Sequence, residues 1–115
     1  MQYLLLIYDD EKKWAALSKA EVATLMAEYN QFTAGIKASG QFVGGNRLQS
    51  VTTATTVRVR EGKTQMTDGP FAETREQLGG YYLVEAKNLD EATAIAARIP
   101  SAKLGSIEVR PLFSM

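Results

Sequence analysis

The chain has 115 residues, 45% hydrophobic and 23% charged, with Lys+Arg 13 against Asp+Glu 13, no Cys and no His. This is the length and composition of one globular domain over residues 1–115, and such a domain buries roughly two-thirds of its unfolded surface without disulfides or a structural metal. Thiol nucleophiles, Cys/His zinc sites and Ser-His-Asp triads are excluded, and the zero net charge without any basic run argues against nucleic acid as a partner.

Residues 2–8, Gln-Tyr-Leu-Leu-Leu-Ile-Tyr, are apolar at both alternating sets of positions. That pattern predicts a central strand buried on both faces. The run is too short to span a membrane and carries no signal-peptide flanks, so a cytoplasmic protein without a membrane partner is expected. Asp9 to Lys13 reads as a charged loop, and Trp14 behind it fits either a lid over a pocket or simple docking onto the fold.

Ser18 with Glu21 three residues on forms a capping box, and Leu17 with Val22 supplies a hydrophobic staple. A helix therefore starts at Ser18. Val22, Leu25, Met26, Tyr29, Phe32 and Ile36 give it one apolar face, and Gly40 closes it. Residues 41–49 predict a second strand with a bulge or close approach at Gly44-Gly45. Residues 55–60 and 63–67, joined at Glu61-Gly62, predict a hairpin.

The Asp68-Gly69-Pro70 turn, a polar loop over residues 72–80 and an apolar strand over residues 81–86 follow. Gly79-Gly80 has no following helix or Lys-Ser/Thr to complete a phosphate cradle. Asn88 with Glu91 caps a second helix that Pro100 stops, and residues 106–112 predict the closing strand. The order strand, helix, strand, inserted hairpin, strand, helix, strand predicts an α+β, ferredoxin-like pair of split β-α-β units: an antiparallel sheet with two helices on one face.

Two helices cover one face of such a sheet, yet Leu4, Leu5, Leu6 and Ile7 present apolar side chains to both. A second copy of the chain is the expected cover, which predicts a homodimer with a cavity between sheet and partner as the default place for a small-molecule ligand. Around that cavity the sequence offers Asp68, fixed by its turn, as an acid or base, or as a purely structural turn residue. Arg47 fits either a clamp for a carboxylate or a surface ion pair, and Phe71 and Arg75 belong to the same unusual string. Tyr3 and Tyr8 lie on opposite strand faces, so at most one of them reaches the cavity.

Asp68-Gly69-Pro70-Phe71, the Arg-Glu-Gln-Leu-Gly-Gly-Tyr-Tyr run at residues 75–82, the opening residues 1–8 and the closing Gly105 to Pro111 resemble the DGPF-motif branch of the YCII-related family. The resemblance spans nearly the whole chain and implies a dimeric α+β barrel. No cofactor is expected. Other members resemble enzymes proposed to use a His-Asp pair, but this chain has no His, so the resemblance carries over only Asp68 as a catalytic candidate. It also implies a possible regulatory context with a sigma factor. Two readings follow: a module that binds a small metabolite, or a small isomerase- or lyase-like enzyme moving a proton through Asp68.

Overall fold

The computed structural model describes residues 1–114. Strand β1 (Gln2–Asp9) lies inside a four-stranded antiparallel sheet, flanked by β5 (Gln77–Glu85) and β6 (Ser106–Pro111), with β2 (Phe42–Arg47) outside β5. The hairpin of β3 (Thr55–Arg60) and β4 (Lys63–Asp68) is a separate two-stranded sheet. Set aside the hairpin, and the order β2-β5-β1-β6 is the ferredoxin-like split β-α-β arrangement.

Alternation along β1 decides what each face does. Tyr3, Leu5, Ile7 and Asp9 are buried, while Leu4, Leu6 and Tyr8 are half-buried on the other face. The buried set packs against helix α2 (Lys19–Ala38) through Phe32 and Ile36, and against α3 (Leu89–Ala97) through Ala92, Ile95 and Ala96. The helices thus occupy one side of the sheet.

Local signals set the ends of these elements. Ser18 Oγ accepts from the Glu21 amide at 3.1 Å, and the Ser18 amide donates to Glu21 Oε1 at 3.0 Å, which completes the capping box. The Asn88 side chain accepts from the Glu91 amide at the start of α3. A register shift between Phe42 and Gly44 leaves Val43 as the extra residue just before the Gly-Gly pair, and the close approach expected there falls at Gly45, where a Cβ would lie 3.0 Å from the Tyr81 carbonyl oxygen.

Two expectations are corrected. Asp9 to Lys13 is not a loop: Asp9 ends β1, and Asp10 caps a short helix α1 (Glu11–Ala15), so the described residues form three α-helices. The polar stretch before residue 81 is shorter than expected, because β5 already begins at Gln77.

No helix among the described residues is long and apolar enough to cross a membrane. The hairpin stands away from the rest, and Val57, Val59 and Met66 are all exposed. The Cα radius of gyration is accordingly 16.1 Å, against about 13 Å for a compact domain of some 100 residues.

Candidate functional site

A cavity of about 620 Å³ opens where α1, α2 and the end of β2 meet the helix face of the sheet. Its size matches ordinary small-molecule sites, which hold about 300 to 1,000 Å³. Trp14, Tyr29, Phe42 and Tyr82 give it aromatic walls, and Asp9 lies among its lining.

Backbone geometry aims Asp9 there. Opposite the end of β1, β5 carries a bulge: Ile7 pairs with Gly80 but Tyr8 pairs with Leu78, so Gly79 is the extra residue. The alternation that buries Tyr3, Leu5 and Ile7 then buries a carboxylate, with Asp9 only 8% exposed. Gly105 is needed beside it. A Cβ at that position would overlap the Tyr8 carbonyl oxygen and come within 2.8 Å of Asp9 Oδ1.

A buried carboxylate requires donors. Ser101, itself fully buried, donates from Oγ to Asp9 Oδ2 at 2.9 Å. Since a serine hydroxyl has one proton, the short contact between the Tyr29 hydroxyl and Ser101 Oγ must have Tyr29 as donor while Asp9 is ionised. The result is a chain from Tyr29 through Ser101 to Asp9. Asp9 Oδ1 and the Trp14 indole Nε1 are both buried without a completed hydrogen bond.

Burial pushes the Asp9 carboxyl above its ordinary value of 3.8, against the opposing pull of the Ser101 hydroxyl and the nearby Trp14 indole and with help from the Glu76 charge. Burial likewise pushes the Tyr29 phenol up to about 12; its bond to Ser101 opposes the shift and the Asp9 charge adds to it. Both groups therefore hold their protons more tightly than they would in water.

The floor is fastened from several elements. Glu11 accepts from Ser50 Oγ at 2.7 Å and from the Val51 amide at 3.0 Å, which ties α1 to the segment after β2. Gln77 Oε1 accepts from the Glu11 amide at 2.9 Å, tying α1 to the start of β5. Thr33 and Tyr82 share a hydroxyl bond of 2.6 Å on the cavity wall.

Of the residues singled out in the sequence, Trp14 and Arg47 line this cavity. Tyr8 points to the other sheet face, while Phe71, 79% exposed, and Arg75 lie in the exposed segment beyond the hairpin. Asp68 ends the exposed strand β4, outside the lining of the cavity, and no described residue hydrogen-bonds its carboxylate. Its turn is built by neighbours instead: the Gly69 amide donates to the Ala54 carbonyl at 2.7 Å, and Thr56 Oγ1 donates to the Gly69 carbonyl at 2.8 Å. The sequence placed Asp9 in a charged loop and Tyr29 on the apolar core face of its helix, and nothing in it singled out Ser101; Tyr29 and Met26 of that face line the cavity. The signal for Asp9 was its phase, two residues beyond Ile7 on the buried face of β1. No group of three or more His, Asp or Glu among the described residues is arranged to hold a metal ion.

Sheet order, helix placement and a lined cavity define an α+β protein of the ferredoxin-like kind. The YCII-related domain model matches residues 1–115, and the chain belongs to that family. An uncharacterised protein of Rhizobium meliloti is 40% identical over 114 residues, covering 97% of this chain and 92% of its own. Among solved structures, 5-chloro-2-hydroxyhydroquinone dehydrochlorinase from Burkholderia phenoliruptrix, in complex with 2,5-dihydroxybenzoquinone, superposes with a TM-score of 0.56 at 15% identity, over 98% of this chain and 94% of that one. That likeness is one of fold.

Proposed function

We propose that the protein binds a small oxygenated aromatic metabolite in the cavity beside Asp9, as a cytoplasmic homodimer of the DGPF-motif branch of its family. The observation that carries the reading is the cavity itself: about 620 Å³, walled by aromatic side chains, with a buried carboxyl among its lining. The compound named with the Burkholderia phenoliruptrix structure, 2,5-dihydroxybenzoquinone, is of that chemical class. The homodimer is supported by the half-buried Leu4 and Leu6 on the uncovered sheet face and by the exposed valines of the hairpin.

One observation favours a second reading, an isomerase- or lyase-like proton transfer. Asp9, Ser101 and Tyr29 form a continuous hydrogen-bond chain whose two ends both line the cavity. When Asp9 is protonated, the same chain can run in the opposite sense and deliver a proton to a ligand at Tyr29. In this reading the acid or base is Asp9, because Asp68 of the same chain does not line the cavity.

A thermal-shift screen of dihydroxybenzenes, quinones and hydroxybenzoates tests the first reading. Asn30 is an exposed residue of α2 that lines the cavity, so Asn30→Trp places an indole in the space with little demand on the core. Hits on the wild type should vanish in this variant. Hits that survive the blockage, or a library without any stabilising compound, would overturn the reading. For proton transfer, Asp9→Asn should lower turnover of a confirmed substrate about a hundredfold or more.

A further inference from the structure

The cations around the cavity have weak partners. Arg47, at the end of edge strand β2, lays its guanidinium 5.6 Å from the centre of the Trp14 ring and sets Nη1 3.8 Å from Met26 Sδ. It therefore lies between α1 and α2, held by an indole face and a thioether. Lys37, also in the lining, sits 4.9 Å from the centre of the Phe42 ring. Among the described residues, neither cation pairs with a carboxylate.

The two carboxylates of the lining are engaged elsewhere. Glu11 is bound by Ser50 and Val51, and Asp9 by Ser101. A guanidinium offers five donors in a planar fork that matches a carboxylate, and an aromatic face or a thioether satisfies little of that capacity. Aromatic rings also preorganise the fork, since stacking fixes its plane and leaves its edge open.

From this placement we infer that the cavity selects ligands bearing a carboxylate on a planar ring, with Arg47 as the residue that reads the anion and Lys37 adding positive potential. The inference deepens the small-molecule reading above and rests on it. The ring lies between the aromatic walls, the carboxylate meets the edge of the Arg47 fork, and a phenolic hydroxyl elsewhere on the ring has Asp9 and Tyr29 as polar partners. Because Trp14 is the sole tryptophan, a change at Arg47 is reported by a single indole resonance.

The test compares 4-hydroxybenzoate with its neutral isostere 4-hydroxybenzamide on the full chain, by calorimetry and by the Trp14 indole N–H signal in NMR. The acid should bind at least about tenfold tighter than the amide and shift the indole signal. Arg47→Gln should erase that preference while changing the affinity for the amide by less than about twofold, and Arg47→Lys should retain part of it as a point charge without a fork. Arg47 is exposed, so both variants should keep the wild-type amide spectrum. Equal affinity for acid and amide, or a preference that survives Arg47→Gln, overturns the inference while leaving the cavity as a small-molecule site. Failure of both compounds to bind at millimolar concentration overturns the inference as well; the Asn30→Trp screen then decides separately whether the cavity takes any ligand.

Discussion

The helix face of β1 and the β3–β4 hairpin show opposite ways of using an alternating sequence. In β1 the positions of one phase, Tyr3, Leu5, Ile7 and Asp9, are buried against two helices, so side-chain identity there is answered by packing. In β3 the apolar phase is just as regular, yet Val57 and Val59 are exposed because nothing among the described residues covers them. Alternation dictates which side chains share a face. Whether that face is buried depends on what the chain brings to it.

Four substitutions break or sharpen this contrast. Leu5→Asp places an unpaired charge at a position of 0% exposure and should cost about 3 to 5 kcal/mol in denaturant melts. A loss under about 1 kcal/mol would mean that the helix face is not closed as described. Asp9→Asn acts on the same face with a smaller effect of opposite sign. Because burial raises the folded carboxyl above 3.8, the ionised form is disfavoured in the folded state; the group's stabilising contribution is complete below 3.8 and is lost as the pH rises through the folded value. The asparagine variant should therefore be more stable than the wild type at neutral pH, and the gap should close as the pH falls below 3.8. An unchanged gap across that range would show that Asp9 is not desolvated.

Ser18→Ala removes one half of the capping box on the exposed start of α2 and should cost about 1 kcal/mol, measured the same way. No detectable loss would mean that the cap contributes nothing beyond what water supplies. Val59→Asp, at 59% exposure in the hairpin, should change the stability of the chain's own fold by no more than about 0.5 kcal/mol. In the proposed homodimer the same change should shift the light-scattering mass toward the monomer. A large loss of stability without any change in mass would place the hairpin in the chain's own core.

Much of the fold was legible because its signals are local. Ser18 and Glu21 are three residues apart and meet through the helix they begin, and Asn88 with Glu91 does the same for α3. At the hairpin the turn requires positive φ at both of its residues; Glu61 at 51° and Gly62 at 74° provide it, and Gly at the second position was a visible cue. The α1 helix was missed because five residues with three charges carry no apolar period, and the Asp10 cap is hidden among other acids.

The site was less legible, for a physical reason. Arg47 stood out as a cation beside a Gly-Gly irregularity, and Asp68 stood out because Asp-Gly-Pro is a conspicuous string. Conspicuous turn chemistry marks how the backbone bends, and here the bend lies at the exposed end of β4, outside the cavity. The Asp9 carboxylate accepts from Ser101, 92 positions away, and Tyr29 reaches the same serine across 72. Local spacing carries no trace of such pairs. What the sequence by itself determined, α1 and its Asp10 cap aside, were elements whose cause lies within a few residues: caps, turns, apolar phases and the order of the other strands and helices. Only the tertiary structure decided that Asp9 is a buried acid and Asp68 an exposed one, because burial is set by which distant segments converge on a side chain, and desolvation depends on that convergence alone.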